Sequence, residues 1–356
     1  MTAPLMPEAD GLRKTAASRH LLYGTAIGTF DISLEPRSRI IVRDCNIITP
    51  EYEMKWREIS RNSAHSDFGA ADSLVAFAAK HGMAFHGHTL WWHESIPDFL
   101  YEASSTQFAD AALCNLRQTV SRYAGQLHSW DVINEPLEPA HGLERGLRRS
   151  RFLEAFGPDY IAEAFHEAAA LDPEAVLVLN EMGLEYASPE AEEKRRLMLK
   201  LLERELAAGT PIDCLGIQSH LDAVEQPRHH PQLRAFLKEV DQLGLSVMIT
   251  EMDVSDVRCS GSIAERDRMV AETYRAYIEL VLEQTTVLSV STWGLSDDRS
   301  WLGSHQPRGD GSPVRPLPLD GALRRKPAWH AIKAALLPAN IRAALPDNEA
   351  LTEPPN

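Results

Sequence analysis

The chain has 356 residues, of which 44% are apolar and 24% charged, and its formal net charge at pH 7 is −15. This composition is that of a folded globular protein with a large core, and it excludes a largely disordered chain. The negative charge would repel phosphate backbones, and no stripe of lysine and arginine interleaved with aromatic residues offsets it. We therefore expect no nucleic-acid partner.

No run in the sequence approaches the ~20 apolar residues of a membrane span, so we expect no membrane association. The first ten residues lack the basic start and the long apolar stretch of a signal peptide. The chain as written is expected in the cytoplasm, or in the periplasm or outside the cell if a leader has been removed. The compartment therefore stays unassigned.

The four cysteines show no spacing typical of a zinc site, and no histidine pattern beside them completes one. Cys114 and Cys214 fall inside apolar runs, which predicts buried thiols. Four scattered cysteines do not require an oxidising compartment. We expect neither a metal ion nor a cofactor.

Short β-branched, apolar runs recur eight times and predict the strands of the fold. They are Leu22–Ile27, Ile40–Thr49, Met83–Leu90, His128–Ile133, Ala175–Leu179, Cys214–Gln218, Ser246–Thr250 and Val287–Thr292. Segments of helical period separate most of them, as at Ala112, Leu116, Val120 and Tyr123, and at Met198, Leu202 and Leu206. The second of these helices has a predicted start at Ser188 and Pro189, where serine can cap free N–H groups and proline fits the first turn.

Eight alternations of strand and helix in a chain of this length predict an α/β fold, a (β/α)8 TIM barrel built as a single domain. No linker divides the sequence, so we expect one domain over residues 1–356, with the barrel at about 20–337 and a C-terminal tail at 338–356. Residues 299–321 are rich in proline and glycine and predict a long loop after the eighth strand. Loops at that end of a barrel shape the active site.

Two carboxylates, Glu135 and Glu251, each end a predicted strand. A carboxylate is costly to bury unless a partner or a chemical task compensates, and the carboxyl ends of barrel strands meet at one mouth. We therefore expect the pair to act across one substrate. Other polar or aromatic residues at predicted strand ends are Glu51, Lys55, His86, His88, Asn134, Asn180, Glu181, Gln218, His220, Asp253 and Trp293.

Tryptophans accompany these strand ends, and we expect Trp91, Trp92, Trp293 and Trp301 to bring their flat faces to the same mouth. Carboxylates, amides and indoles together suit a sugar. Hydroxyl groups take directional hydrogen bonds, while the C–H face of the ring stacks on an aromatic side chain. The expected substrate is therefore a carbohydrate.

Six segments, in chain order, resemble the strand-end motifs of glycoside hydrolase family 10, the retaining endo-β-1,4-xylanases. They are Thr49–Trp56, Gly87–His93, Trp130–Pro136, Gly216–His220, Ile249–Asp253 and Trp293–Asp297, and the resemblance covers about residues 20–330. It implies a hydrolase, for which we expect no cofactor and a monomer, although the sequence leaves the oligomeric state open. The implied reaction is cleavage of internal β-1,4-xylosidic bonds of xylan or xylo-oligosaccharides by a two-carboxylate double displacement, for which the carboxyl groups lie about 5–5.5 Å apart.

The resemblance also implies a role for each site residue. Glu135 is the acid/base and Glu251 the nucleophile. The implied substrate-binding residues are Glu51, Lys55, His88, Trp92, Asn134, Gln218, His220, Trp293 and Trp301, with Asp253 supporting His220. Asn134 would bind the 2-hydroxyl of the sugar being cleaved, Lys55, His88 and Trp92 would enclose that sugar, and Trp293 and Trp301 would cover it. Glu51 would hold the next sugar on the non-reducing side, and Gln218 and His220 would orient the carboxylates.

The sequence departs from the family pattern in four places. Tyr52 and Ser95 stand where the family has asparagine and glutamine, Phe99 stands where it has tryptophan, and the fifth strand ends with Asn180 followed by Glu181-Met182-Gly183. We expect these changes to alter the groove on the non-reducing side, with Tyr52 and Ser95 as supporting positions. The open alternative there is that Tyr52 stacks on a sugar where asparagine would hydrogen-bond.

Three other functions are compatible with parts of this pattern. A family 10-like β-glycosidase could act on a different or decorated β-linked glycoside through the altered groove. A degenerate barrel could bind sugar without catalysis, although both carboxylates are present. His86, His88 and His93 could belong to a metal-dependent barrel hydrolase, but such a His-x-His pair normally ends the first strand and here it lies in the third.

Overall fold

The computed structural model describes residues 11–61, 65–225 and 230–338 of the chain. Its centre is eight parallel strands: β1 (Leu22–Ile27), β2 (Ile47–Pro50), β3 (Ala84–Gly87), β4 (Ser129–Asn134), β5 (Val176–Glu181), β6 (Cys214–Ile217), β7 (Ser246–Ser255) and β8 (Val287–Thr292). Each strand pairs with the next, and β8 pairs back with β1. The sheet is closed, which confirms the predicted (β/α)8 barrel.

Helices surround the strands. The α-helices are Leu12–Ala17, Thr29–Ser33, Glu35–Asp44, Trp56–Ile59, Gly69–Lys80, Ser105–Tyr123, Arg151–Phe156, Tyr160–Leu171, Pro189–Ala207, Pro231–Gln242, Ile263–Gln284, Leu302–His305 and Pro327–Leu336. Short 3-10 helices lie at Asp98–Leu100, Pro139–His141, Glu144–Gly146 and Asp297–Arg299. Two short strands, Trp91–Trp92 and His220–Asp222, extend the pairing beside the carboxyl ends of β4 and β7.

The two helices read from sequence periodicity are confirmed. Helix Ser105–Tyr123 begins with a capping box, in which Ser104 accepts from the backbone of Gln107 and the Gln107 side chain accepts from the backbone of Ser104. Its predicted apolar face is buried. Helix Pro189–Ala207 begins at the predicted cap, where the Ser188 hydroxyl accepts from the N–H of Ala191 at 3.2 Å.

The second predicted strand was wrong in its first half. Residues 40–44 belong to helix Glu35–Asp44, and β2 starts only at Ile47. Pro36 fits the first turn of this helix, and the buried positions Arg37, Ile41 and Asp44 follow helical spacing. The apolar run therefore joins the end of a helix to the start of a strand, which periodicity over so few residues does not separate.

Cys214 is buried as predicted, but the prediction for Cys114 was wrong, because its side chain is exposed. Helix Ser105–Tyr123 turns Asn115 and Leu116 to the core and leaves Cys114 on the outer face. The long loop after β8 is confirmed, with the short helix Leu302–His305 inside it. The predicted tail, apart from Pro338, lies outside the described residues.

Within the described ranges, none of the helices combines the length and the apolar composition needed to cross a membrane.

Candidate active site

The two predicted catalytic carboxylates lie at the carboxyl-end mouth of the barrel. Glu251 is part of β7, and Glu135 directly follows β4 with its backbone N–H donating to the carbonyl of Asn180 at 2.9 Å. Glu135 has a φ of +57°, a left-handed conformation that non-glycine residues seldom adopt and that occurs at functional sites. Both side chains are buried. The fold thus holds two acids in one enclosed space.

Three amide side chains connect the carboxylates. The Gln218 Nε2 donates to Glu135 Oε1 at 2.9 Å and to Asn134 Oδ1 at 3.2 Å. The Asn180 Nδ2 donates to Asn134 Oδ1 at 3.0 Å and to Glu251 Oε1 at 2.8 Å. Because each amide is fixed by two partners, the positions of the two acids depend on each other.

Glu251 lies in an environment that favours its anion. His220 Nε2 is 3.5 Å from Glu251 Oε2, and His220 Nδ1 is 3.0 Å from Asp253 Oδ1. Burial acts to lower the pKa of His220, but the charge of Asp253 and the hydrogen bonds to both carboxylates raise it well above its usual 6.5. Burial likewise acts to raise the pKa of Glu251, and His88 and His220 outweigh it, so the net pKa lies below the usual range.

Asp253 is held on its far side by Trp301, whose indole Nε1 donates to Asp253 Oδ2 at 2.7 Å. The Trp301 and His220 rings meet edge to face, with 5.1 Å between their centroids. The structure therefore places Asp253 behind His220, as expected from sequence. It also gives Trp301 a second task beside any contact with sugar.

Glu135 is surrounded differently. Its Oε2 lies 4.0 Å from His93 Nδ1 and 3.9 Å from Arg148 Nη2. Burial, and next the charge of Arg148, lower the pKa of His93 to about 4, so this imidazole is neutral near pH 7. Arg148 also donates from Nε to the backbone carbonyl of Glu135 at 2.8 Å. Sequence reasoning missed Arg148, which lies in the loop after β4 without a recognisable motif.

A cluster that we call the box lies beside the carboxylates, and it consists of Lys55, His88, Trp92 and Trp293. The Lys55 Nζ is 4.7 Å from the centroid of the Trp92 ring, 5.7 Å from that of Trp293 and 4.9 Å from that of Tyr52. The His88 and Trp293 ring centroids are 5.1 Å apart. The predicted substrate-binding residues of β2, β3 and β8 thus meet in one place.

The acids around Lys55 oppose the effect of its burial. Burial acts first and lowers the pKa of Lys55, while Glu251, Glu51 and Glu135 act in the opposite direction. Burial raises the pKa of Glu51, and a hydrogen bond with Tyr52 and the charge of Lys55 limit that rise. The Lys55 amine therefore lies among the carboxyl groups of Glu251, Glu51 and Glu135.

The metal-binding alternative rests on His88, Asp131 and Glu251, whose ligand atoms lie within 4.8 Å of one another. Each of the three residues has a protein partner at one polar atom: Asp131 Oδ2 is 2.8 Å from His88 Nδ1, and Glu251 Oε1 accepts from Asn180. His93 is not a member of this group and faces Glu135 instead. The arrangement favours a hydrogen-bonded network over a set of open ligands.

Asp131 is a second residue that sequence reasoning missed. It is fully buried in β4, where burial acts to raise its pKa and His86 and His88 lower it below the usual range. The signal was present, since an acid inside an otherwise apolar strand requires a partner. Asp131 fixes the orientation of the His88 ring.

Two expectations about the mouth were wrong. Trp91 is not at the rim but in the core, stacked on Phe152 with 4.9 Å between ring centroids. Glu181 is fully buried and does not line the groove. It pairs with the Nζ of Lys194 at 2.8 Å and accepts from the N–H of Leu137 at 2.9 Å. Glu181 thus anchors the loop that carries Glu135.

The other departures from the family pattern differ in exposure. Tyr52 is half exposed beside Lys55, whereas Ser95 is buried and its hydroxyl donates to the carbonyl of Trp92 at 3.4 Å. Phe99 and Met182 are both partly exposed. The Tyr52 ring contacts the side chain of Lys55 in the box, whereas Ser95 contacts the backbone of Trp92.

His220 gives a pH-dependent test of this geometry. Replacing His220 with glutamine removes the positive partner that lowers the pKa of Glu251, so that pKa is expected to rise. The acidic limb of kcat/KM should therefore move to higher pH, as measured over about pH 3 to 9 with an aryl glycoside substrate. An unchanged acidic limb would contradict the role of His220.

The same change affects stability with a defined sign. The pKa of His220 is raised in the folded state, so its contribution is full below about pH 6.5 and is lost as the pH rises through the folded-state value. The Tm of the wild type should exceed that of His220→Gln most on the acidic side of this range, and the difference should shrink at alkaline pH.

Comparison with known proteins places this site in a family. The family model described as glycosyl hydrolase family 10 matches residues 11–335. Endo-1,4-beta-xylanase B of Thermotoga neapolitana is 30% identical over 327 residues, which cover 90% of this chain and 90% of the relative. Endo-1,4-beta-xylanase C of Paenibacillus barcinonensis is 32% identical over 88% of this chain, but the match spans only 31% of that longer relative.

A solved structure is similar over the same extent. Xylanase 10B from Thermotoga petrophila RKU-1, in complex with xylobiose, has a TM-score of 0.83 and 27% identity, covering 94% of this chain and 98% of that chain. The match extends over the whole barrel and not only the mouth. The chain therefore belongs to glycoside hydrolase family 10.

Proposed function

We propose that the chain is a retaining endo-β-1,4-xylanase that cleaves internal bonds of xylan or xylo-oligosaccharides. The observation that carries this proposal is the pair Glu135 and Glu251, buried in one mouth and connected through Gln218, Asn134 and Asn180. Family membership and the xylanase names of the relatives support the substrate. The complex of the Thermotoga petrophila enzyme with xylobiose supports it further.

In the first step, the Glu251 carboxylate attacks the anomeric carbon and the glycosidic C–O bond breaks. Glu135 donates its proton to the departing oxygen, so the leaving sugar departs as an alcohol. The product of this step is a glycosyl ester on Glu251. The lowered pKa of Glu251 supports its part, because the attacking group must be ionised.

In the second step, Glu135, now a carboxylate, takes a proton from water, and the water oxygen attacks the anomeric carbon. The ester bond breaks, Glu251 returns as an anion, and Glu135 is again protonated. Two inversions at one carbon retain the β configuration. His93 and Arg148, both close to Glu135 Oε2, supply a neutral ring and a positive charge beside the group that changes protonation.

The remaining residues bind the substrate in this proposal. Asn134 holds the 2-hydroxyl of the sugar being cleaved, and Lys55, His88 and Trp92 enclose that sugar. Trp293 and Trp301 cover it, while Gln218 and His220 position the carboxylates. Glu51 holds the next sugar on the non-reducing side. The hydrogen-bonded positions of these side chains support a preformed site.

We also propose that the chain acts as a monomer with one catalytic domain. Both carboxylates and the amides between them come from a single barrel, so a second copy is not needed to complete the site. The family model covers residues 11–335, which supports one catalytic unit over the predicted barrel.

A second candidate is a family 10 glycosidase for a different or decorated β-linked glycoside. Half-exposed Tyr52 favours it, because a ring beside Lys55 changes the surface offered to the second sugar. Comparing xylo-oligosaccharides with cello-oligosaccharides of equal length separates the two candidates. Higher kcat/KM on the cello series would favour the second.

Proton NMR of xylohexaose during hydrolysis tests the proposed function directly. We expect the β anomer of the new reducing ends to accumulate first and to mutarotate later, because a double displacement retains configuration. Xylotriose should form early, because the enzyme cleaves internal bonds of xylohexaose. An α anomer at early times would contradict the mechanism, and the absence of new reducing ends would contradict the activity.

A further inference from the structure

A cationic and aromatic surface lies at the edge of the mouth, and we define it as the outer patch: Phe30, Tyr52 and Arg299. Phe30 lies on the helix after β1, Tyr52 follows β2, and Arg299 ends the 3-10 helix after β8. Because β8, β1 and β2 are neighbours in the barrel, these side chains rise from adjacent strand ends. Phe30 and Tyr52 are 43% and 50% exposed, so both aromatic rings face solvent.

The guanidinium of Arg299 is held in place but not neutralised. Its Cζ lies 4.3 Å from the centroid of the Phe30 ring. No ion pair of Arg299 with an acid occurs in the described part of the chain. Asp298, its neighbour in sequence, is bound by Arg37 Nη2 at 2.6 Å.

The other nearby acid, Glu53, is also occupied. Glu53 Oε1 accepts from the N–H of Thr29 at 2.8 Å, and Oε2 accepts from the N–H of Tyr52 at 3.3 Å. Stacking uses the face of a guanidinium and leaves its N–H edge open. Arg299 therefore offers an unused fork of donors at the outer end of an acidic mouth.

The outer patch continues the row of rings that leads to the catalytic carboxylates. Tyr52 shares Lys55 with Trp92 and Trp293, since all three rings lie within 6 Å of its ammonium group. The pKa of Tyr52 is raised to about 12 by burial and by Glu51, and Arg299 opposes that rise. This opposing effect is consistent with a guanidinium close to the phenol.

We propose that the outer patch binds a carboxylate carried by the substrate, as in a glucuronic acid side group on the non-reducing part of a xylan chain. This inference rests on the proposed xylanase function. A guanidinium binds a planar carboxylate through two parallel hydrogen bonds, and the rings of Phe30 and Tyr52 can pack on the C–H face of the sugar that carries it.

The negative charge of the mouth limits where an acidic substituent of the substrate can bind. Glu51, Glu53 and Glu94 lie around the box and would repel a uronic acid placed among them. Arg299 is the exposed cation at the outer end of the row. An acidic substituent is thus directed away from the cleaved bond and toward the outer patch.

A pair of oligosaccharides of equal length tests the proposal, one plain and one with a single glucuronic acid on its distal non-reducing xylose. We expect the wild type to show about three- to tenfold higher kcat/KM on the acidic member. In Arg299→Gln the ratio should fall to about one through a loss on the acidic substrate. Arg299→Lys should keep only part of the preference, because lysine keeps the charge without the fork.

Arg234→Gln is the matched control. Arg234 lies on helix Pro231–Gln242, is paired with Glu283, and its loss removes the same charge from a distant surface. This variant should keep the wild-type ratio. Equal wild-type values for the two substrates, or an undiminished ratio in Arg299→Gln, would overturn the inference.

Failure of the proposed function gives a different result. If neither oligosaccharide is hydrolysed, the xylanase proposal fails. Calorimetric binding of the same two oligosaccharides then decides the inference separately. Tighter binding of the acidic member by the wild type, lost in Arg299→Gln, supports the outer patch, and equal binding overturns it.

Discussion

Replacing Glu251 with alanine is expected to lower kcat on xylo-oligosaccharides by at least about ten-thousandfold. Glu251 is the carboxylate with the lowered pKa, held by Asn180 at 2.8 Å and approached by His220 at 3.5 Å. Without it no ester can form, and Glu135 cannot replace it because Glu135 follows a different strand and lies at the opposite end of the chain of amide side chains. The loss should occur on aryl xylobiosides too, since a good leaving group does not supply a nucleophile.

The measurement is the initial rate of release of an aryl group and of new reducing ends. Glu251→Gln is the control, because it keeps the shape of the side chain and should be as inactive as the alanine variant. A 2-fluoro xylobioside with a good leaving group should attach to the wild type through Glu251 and be found by mass spectrometry on the peptide of β7. Attachment to any other acid, or activity within tenfold of the wild type, would contradict the assignment.

The fold could be predicted because its repeating unit is short and local. Each buried parallel strand produces an apolar run, and eight runs separated by helical periods allow few other architectures. The boundary at residues 40–47 could not be predicted, because an apolar helix end and an apolar strand start form one continuous run. Cys114 was misplaced for a similar reason, since an apolar stretch within a helix has an exposed face.

The site was predictable where a residue type has a chemical task at a strand end, as with Glu135, Glu251, His220 and Asp253. A residue that a loop brings to the site carries no such signal. Arg148 reaches Glu135 from a loop, and its contact depends on how that loop folds. Glu181 lies at a strand end as well, yet its side chain is buried away from the mouth and pairs with Lys194.

Replacing Glu135 with alanine is expected to separate the two steps of the reaction. On xylan and plain xylo-oligosaccharides, kcat/KM should fall by about a hundred- to ten-thousandfold, because the leaving oxygen is no longer protonated. On an aryl xylobioside with a leaving group of low pKa, the first step should stay fast, since that group departs as an anion. The second step then lacks its base, so a burst of aryl release should precede a slow steady state.

Azide distinguishes a missing acid/base from a damaged site. It needs no deprotonation, and it can enter the space left by the Glu135 side chain, near Gln218 and Arg148. We expect azide to raise the steady-state rate of Glu135→Ala and to give the β-xylobiosyl azide, because it attacks the ester on Glu251 from the face that water would use. Glu138→Ala is the matched control: Glu138 is an acid of the same loop and lies 3.5 Å from Arg148 Nη2. It should need no azide, and an α-azide from Glu135→Ala would show that the roles of the two carboxylates are reversed.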